Sequence, residues 1–319
     1  MRSRLTAGWV VCLLLLLCTT VASLAVGARS LPITSLWAAH GEAAQIVWTV
    51  RLPRTVLGLC VGAALAVAGA LMQALTRNPL ADPGLLGVNA GAAAAVVLGI
   101  VLGLPFPLPL ALAGATLAAI LVVALGGTSR SGGRLILAGA AISASLTGLV
   151  AGLTLIDQNA FDHYRFWVVG TLADQSLDAL APAAPALVAG LLVAALIARP
   201  LDVLGIGDDG GAALGAHPAR TRLWGLAAVA LLCGAATALA GPIGFLGLAV
   251  PHAARLICGP RLGWALAYSV VLGPLLLLLA DIAGRLAARP GEIEVAIVMG
   301  VIGAPIFIGL VRARKVAVL

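Results

Sequence analysis

The sequence predicts an all-α fold: a single-domain, polytopic membrane protein in which about ten transmembrane helices form one bundle over residues 1–319. Composition is the first observation. The chain is 62% hydrophobic and only 10% charged, whereas soluble domains are about 45–50% apolar and about 25% charged. The second is a mean hydropathy of +1.13, and the third is a series of long uncharged runs. Together they exclude a soluble enzyme, a disordered chain and a disulfide-bonded scaffold.

The uncharged runs give the transmembrane helices in chain order. One crossing needs about 20 apolar residues, so most runs hold one helix each. The run over residues 83–129 is too long for one crossing, and Pro105, Pro107 and Pro109 interrupt it because each lacks a backbone donor. This run therefore predicts two helices. The complete set of runs is residues 5–28, 55–76, 83–129, 135–156, 179–198, 223–254, 262–280 and 295–311.

Residues 223–254 form a run that fits either one tilted helix or a hairpin broken at Gly241 and Pro242. The flanking charges favour the hairpin, since Arg220 precedes the run and Arg255 follows it. Lysine and arginine are enriched in cytoplasmic loops, so both ends of this run are predicted to be cytoplasmic. Two crossings here bring the total to about ten, with both termini cytoplasmic.

The N-terminal run also resembles a secretory signal, because Arg2 and Arg4 precede a leucine-rich stretch. Its uncharged part, residues 5–28, is longer than the roughly 7–15 residues of a signal-peptide core. We therefore expect an uncleaved first helix.

Motifs for catalysis, metal binding and nucleotide binding are missing from the sequence. A phosphate-binding loop of the GxxxxGK[ST] type needs a lysine, and the only lysine, Lys315, has no such context. The four histidines are scattered, and the five cysteines lie in or at the ends of apolar runs without a CxxC pair. The sequence therefore predicts no catalytic residue, no metal and no cofactor. The net charge of +7 is explained by basic residues in the cytoplasmic loops, so it does not indicate nucleic acid as a partner.

Ionisable residues that could couple an ion gradient are also scarce. The one nearest to a span interior, Asp281, lies one helical turn from Arg285, and this spacing predicts an i,i+4 ion pair. Two functions stay open on the residues alone. One is a stand-alone secondary transporter or channel for a small hydrophilic solute, and the other is a permease driven by a separate motor protein.

Seven blocks of sequence, in order, resemble one known family. The two most specific blocks are Arg51-Leu52-Pro53-Arg54 and RNPLADPG at residues 77–84, followed by Leu86-Gly87. The others are Leu137-Ala138-Gly139, Trp167 with Gly170, GPIGFLGL at residues 241–248, Pro251-His252 with Arg255, and GAPIF at residues 303–307. On these blocks the chain resembles the FecCD-type permeases, which are membrane subunits of ABC importers for ferric siderophores, haem and cobalamin.

The resemblance implies a type II ABC importer permease that carries out no covalent chemistry itself. It implies three kinds of partner: a second permease subunit, identical or paralogous, two cytoplasmic ABC ATPase subunits, and an extracytoplasmic substrate-binding protein. It implies location in the bacterial cytoplasmic membrane and an iron chelate as cargo. A ferric siderophore is the first expectation, with haem and cobalamin as the other members of the class.

Arginines at the outer end of the bundle are implied to dock the binding protein. Arg51 and Arg54 share a helix face by their i,i+3 spacing, and Arg285 follows the ninth span. In the family, arginines at these places receive acidic residues of the binding protein, because guanidinium–carboxylate pairs are bidentate and directional. Interfacial snorkelling is the alternative for all three.

The cytoplasmic coupling segment, residues 205–222, predicts a short capped helix. An aspartate accepts free amide protons at its start, and Gly215 with Pro218 ends it. The resemblance implies that this helix inserts into a cleft on the ATPase. Its candidate coupling residues are Asp208, Asp209, Gly211, Ala212, Ala213, Leu214, Gly215 and Ala216.

Two further blocks are predicted to support the structure rather than bind cargo. One is a proline-rich turn between the second and third spans, and the other is a helix near the cytoplasmic side on which a histidine and an arginine share a face. Their residues are Arg77, Asn78, Pro79, Asp82 and Pro83 in the turn, and Pro251, His252 and Arg255 in the helix.

Overall fold

The computed structural model describes residues 2–27, 41–104, 107–127, 132–173 and 175–312, and every regular element within them is helical. The helices are α1 (Arg2–Ala25), α2 (Glu42–Gln45), α3 (Leu52–Thr76), α4 (Val88–Val101), α5 (Pro107–Gly126), α6 (Gly132–Ile156), α7 (Gln158–Trp167), α8 (Leu180–Leu204), α9 (Asp208–Ala213), α10 (Pro218–Ala240), α11 (Leu246–Cys258), α12 (Leu262–Ala287) and α13 (Val295–Arg312). A π-helical turn, Ile46–Arg51, joins α2 to α3, and 3-10 turns cover Pro83–Leu86 and Leu177–Ala179.

Each predicted span corresponds to one helix. Among the described residues, seven helices are long and apolar enough to cross a membrane, and three further apolar helices, α4, α11 and α13, are shorter. The run over 83–129 forms α4 and α5, although Pro105 lies outside the described residues. The run over 223–254 forms α10 and α11, so the predicted break at Gly241 and Pro242 is confirmed, whereas the second crossing stays a prediction.

Helices α4 and α11 are too short to cross a bilayer alone. They contain 14 and 13 residues, or about 20 Å of helix, whereas the hydrocarbon core is about 30 Å thick. Each begins after a residue with left-handed backbone, Gly87 (φ +69°) for α4 and Phe245 (φ +63°) for α11. These two turns let the chain start a helix against the packed interior rather than at the surface.

The centre of the bundle is built on α3 and α10, the most buried of the long helices. Helix α3 packs against α10, α11 and α12, and glycine makes two of these approaches possible. A Cβ on Gly69 would overlap the carbonyl of Gly247 on α11, and one on Gly62 would overlap the backbone of α12 at Gly273 and Pro274. Close backbone packing through small residues is how helices associate in lipid.

Helix α3 also separates the two polar ends of the molecule. It has 25 residues, which is about 37 Å of helix. Arg54 lies in its first turn, and Arg77 follows its last residue with left-handed backbone (φ +50°). The candidate docking arginines and the candidate coupling segment therefore lie at opposite ends of the bundle.

Candidate functional site

One end of the bundle holds a buried ionic cluster, called here the arginine cluster, formed by Arg51, Arg54, Asp281, Arg285 and Glu292. Arg54 Nε and Nη2 lie 2.9 and 2.7 Å from Asp281 Oδ1, and Arg54 Nη1 donates to Glu292 Oε2. Arg285 Nη2 lies 2.7 Å from the other oxygen of Asp281. Asp281 therefore lies between two guanidinium groups, and it is fully buried.

The same end of the bundle holds the C-terminus of α1. Arg51 Nη1 donates to the carbonyls of Leu24 and Ala25 at 3.0 and 2.6 Å. Arg285 Nη1 donates to the carbonyls of Ser23 and Val26, both at 2.9 Å. The last carbonyls of a helix have no partner within the helix and carry partial negative charge, so guanidinium groups stabilise them.

The docking arginines are thus in contact with groups of their own chain. Arg51, Arg54 and Arg285 are 4%, 5% and 2% exposed. The sequence predicted that Arg51 and Arg54 lie on one helix face. In the structure their side chains contact different helices, Arg51 contacting α1 and Arg54 contacting α12. The predicted i,i+4 pair of Asp281 and Arg285 is confirmed. The docking role stays a prediction, and it requires that a partner's carboxylates replace some of these internal bonds.

The opposite end carries the coupling segment, and the predicted short helix is confirmed as α9, Asp208–Ala213. The predicted aspartate cap is wrong, because Gly207 holds the N-cap position and Asp208 is the first residue of the helix. Gly207 (φ +114°) precedes it and Gly215 (φ +86°) follows it, so both flanking turns use backbone conformations that favour glycine. The amides of Gly215 and Ala216 donate to carbonyls of α9 and close its end. Pro218 begins the next helix, α10.

Asp208 joins the coupling segment to two other parts of the chain. Its Oδ1 accepts from Arg77 Nη2 at 3.0 Å and from Arg222 Nη2 at 2.7 Å. Arg77 Nη2 also donates to the carbonyl of Leu204, the last residue of α8, at 2.6 Å. Sequence reasoning missed this contact, because the three charged residues are far apart in the chain and nothing in their spacing pairs them.

The proline-rich turn after α3 is held by its own side chains, as predicted. Asn78 Oδ1 accepts from the amide of Leu80 at 2.9 Å, and Asp82 Oδ1 accepts from the amide of Gly84 at 2.8 Å. Burial raises the pKa of the Asp82 carboxyl, and the hydrogen bond from Gly84 opposes that shift. Pro79 lies within this turn, and Pro83 opens the 3-10 turn that leads to α4.

His252 and Arg255 lie buried on α11, in the helix that also contains Pro251. Arg255 Nη2 donates to Gln73 Oε1 on α3, and Gln73 Nε2 donates to the carbonyl of Gly247 at 3.2 Å. Arg255 therefore joins α11 to α3, and its anchoring role stays a prediction. Gln73 is a partner that the sequence alone did not indicate.

The remaining sequence blocks pack on one another. Gly170 (φ +74°) accepts a hydrogen bond from the amide of Ala296, and a Cβ on it would lie 2.5 Å from the carbonyl of Pro242. A Cβ on Gly139 would overlap the carbonyl of Leu85. These blocks are thus the contact points of the bundle, which is a physical reason for their residue types.

Comparison with known proteins decides the family. A sequence model of the FecCD transport family matches residues 14–313. The chain belongs to the FecCD transport family. Within this family of transport permeases, it is 47% identical over 316 residues to the ferric enterobactin transport system permease protein FepD of Escherichia coli (strain K12), covering 95% of this chain and 94% of that protein. It is 37% identical to the hemin transport system permease protein HmuU of Yersinia pestis, covering 98% and 97%.

The fold of this FecCD permease is also found in a solved structure. A metal-chelate type ABC transporter in an inward-facing conformation superposes with a TM-score of 0.86 at 28% identity, covering 97% of this chain and 99% of the other. The likeness extends over both polar ends of the bundle. The architecture described above is therefore that of an ABC transporter permease.

Proposed function

We propose that this FecCD permease is the membrane subunit of a binding-protein-dependent ABC importer in the bacterial cytoplasmic membrane, with both termini cytoplasmic. The family match over residues 14–313 is the observation that carries the proposal. The whole chain, residues 1–319, acts as one permease domain. It moves cargo without covalent chemistry, and the energy comes from ATP hydrolysed by two ATPase subunits.

The coupling segment supports the ATPase partnership. The chain has a single lysine, Lys315, and no phosphate-binding loop, so nucleotide hydrolysis falls to another polypeptide. At the end of the bundle beside α9, Ile206 and Leu214 are 69% and 67% exposed. Large apolar side chains that flank a short helix with fixed turns fit insertion into a cleft of a partner. The residues expected to couple are Asp208, Asp209 and residues 211–216, and among them Asp208 accepts hydrogen bonds from Arg77 and Arg222 of its own chain.

The arginine cluster is the proposed docking end for the substrate-binding protein. Arg51, Arg54 and Arg285 lie about 37 Å along α3 from the coupling segment, as a transporter with partners on both sides of a membrane requires. Docking there exchanges some internal bonds of the three guanidinium groups for carboxylates of the binding protein. Such charge-assisted bonds are directional, which suits docking of two lobes.

A second permease subunit is proposed to pack on α6. This helix has most of its surface exposed although it is long and apolar enough to cross a membrane. A Cβ on Gly148 or Gly152 would meet nothing within 4 Å, and Ser145 is exposed beside them. Small and weakly polar residues on an open membrane helix allow close approach of another helix. The cargo pathway then runs between two permease subunits.

An iron chelate is the proposed cargo, with a ferric siderophore as the first choice. The relative with ferric enterobactin in its name is 47% identical over nearly the whole chain, compared with 37% for the hemin permease. Haem and cobalamin remain within the class that the family transports. Selection among them falls to the binding protein, which contacts the cargo first.

Reconstitution tests this proposal against a stand-alone secondary transporter or channel. The permease is placed in liposomes with its ATPase, and uptake of radioactive ferric siderophore is measured with the loaded binding protein outside. We expect uptake only when ATP is enclosed and the binding protein is present. Uptake that persists without the ATPase, driven by a proton gradient, contradicts the importer and supports the secondary transporter.

A further inference from the structure

The carboxylate of Asp208 is a junction between three parts of the chain. Asp208 is the first residue of α9. Its carboxylate accepts hydrogen bonds from Arg77, directly after α3, and from Arg222, in the first turns of α10. The Asp208 and Arg222 side chains are only 9% and 12% exposed, whereas that of Arg77 is 46% exposed. Because both side chains are shielded from water, the attraction between the two charges is greater than at the surface, and removal of one deprives the other of this compensation.

The helices joined by this junction are the centre of the bundle. Among the long helices of the described chain, α3 and α10 are the most buried, and they pack against each other. The packing continues to the junction, where a Cβ on Gly225 of α10 would lie 2.8 Å from the side chain of Leu75 on α3. A displacement applied at this end is passed along both helices because packed helices move as rigid elements.

Other bonds near the coupling segment tie down its beginning. Arg77 Nη2 donates to the carbonyl of Leu204, so the same guanidinium holds both the end of α8 and the start of α9. Asp202 Oδ1 accepts from the amide of Leu262 at 2.7 Å and so joins α8 to α12. The Asp208 carboxylate thus links α9 through side chains both to Arg77, directly after α3, and to Arg222 on α10.

We propose that Asp208, held by Arg77 and Arg222, is the positioning residue that transmits movement of α9 to α3 and α10. The inference rests on the proposed function, in which α9 binds the ATPase. It adds that the ATPase binds α9 through other residues of the coupling segment, while the carboxylate of Asp208 acts inside the permease. Loss of this carboxylate therefore separates ATP hydrolysis from transport and leaves the ATPase bound.

The test uses the full permease–ATPase complex in liposomes with the loaded binding protein. The variants are Asp208→Ala, Arg222→Ala and the double variant, with Arg199→Ala as the matched control, because Arg199 is an exposed arginine on α8. Three quantities are measured: ATPase recovered per permease, uptake of ferric siderophore per ATP hydrolysed, and Tm of the complex.

We expect Asp208→Ala and Arg222→Ala to retain the ATPase but to lower uptake per ATP by about tenfold, the loss that corresponds to one charge-assisted hydrogen bond. The double variant is expected to lose little more than either single variant, since both remove the same link. Arg199→Ala is expected to match the wild type. Asp208→Glu keeps a carboxylate and is expected to restore uptake per ATP in part.

Wild-type uptake per ATP in Asp208→Ala, with the ATPase bound, overturns the inference and leaves the proposed function standing. Loss of the ATPase from Asp208→Ala at an unchanged Tm also overturns it, because the carboxylate then belongs to the binding surface. If the Asp208→Ala complex does not fold, Asp208→Asn, which keeps the side-chain shape without the charge, is judged by the same outcomes. Failure of the wild-type permease to bind any ATPase overturns the proposed function itself.

Discussion

Arg54 and Asp281 form a buried ion pair that joins α3 to α12, with two nitrogens of the guanidinium at 2.9 and 2.7 Å from one carboxylate oxygen. Asp281 also faces Arg285 from the second side, so this buried carboxylate is shared by two guanidinium groups, while Glu292 pairs with Arg54. Breaking such a pair from one side leaves charge without compensation, which costs far more than the pair itself contributes.

The first prediction concerns the single carboxylate of this pair. Asp281→Ala is expected to destabilise the permease by about 3–5 kcal/mol, because Arg54 and Arg285 then remain buried without their shared counter-charge. The measurement is the thermal unfolding of the purified permease in detergent, read by loss of the monodisperse fraction. Glu292→Gln is the matched control. Because the Glu292 side chain is 34% exposed, its loss is expected to cost no more than about 1 kcal/mol. Equal Tm values for the two variants contradict this account of the cluster.

The second prediction concerns docking of the binding protein. Arg51→Ala is expected to weaken binding of the loaded binding protein by about tenfold, as for the loss of a charged group at an interface. It also removes the hydrogen bonds to the carbonyls of Leu24 and Ala25, so stability is expected to fall by about 1.5–3 kcal/mol. Binding is measured by surface plasmon resonance on permease in nanodiscs, below the onset of unfolding. Unchanged affinity would assign Arg51 to folding alone.

The third prediction concerns the approach of α3 to α11. Gly69→Ala places a Cβ onto the carbonyl of Gly247 and is expected to cost about 1–3 kcal/mol through overpacking. Gly263→Ala on α12 is the control, because its Cβ meets nothing within 4 Å. That change is expected to be neutral or stabilising by about 0.5–1 kcal/mol, as in an exposed helix. A stable Gly69→Ala protein would show that the two helices can separate freely.

The fourth prediction concerns the second permease subunit. Ser145→Cys, in a chain whose five native cysteines are replaced, is expected to form a disulfide-linked species of two permease subunits in membranes under mild oxidation. Ser145 is exposed on α6, the helix proposed for the subunit contact. A cysteine in place of Leu192, an exposed residue of α8, is the control and is expected to stay monomeric. Cross-linking at position 192 and not at 145 would move the interface to α8.

The arrangement of spans was predictable because each depends on local properties. Apolar length sets a transmembrane helix, and prolines or glycines break the two long runs, so α4, α5, α10 and α11 follow from the sequence. The 3.6-residue period of a helix also gave the pair of Asp281 and Arg285. These inferences need no knowledge of how distant segments meet.

The contacts of the two polar ends were not predictable, because they join segments far apart in the chain. The Arg54–Asp281 and Asp208–Arg77 pairs depend on which helices become neighbours, and local patterns do not determine this. Arg51 is the last residue of the π-helical turn Ile46–Arg51 and contacts α1, whereas the sequence placed it with Arg54 on one regular helix. Burial of the docking arginines is the result of these long-range contacts.

The most direct test of the account asks which side of the membrane the coupling segment faces and what it touches there. Leu214→Cys, in the chain without native cysteines, is placed in inner-membrane vesicles of known orientation with the ATPase present. We predict that a membrane-impermeant maleimide labels it only from the cytoplasmic side. We also predict that a short thiol cross-linker joins it to the ATPase and not to the binding protein. Labelling from the extracytoplasmic side alone would contradict the proposal that the coupling segment faces the ATPase and the arginine cluster faces the binding protein.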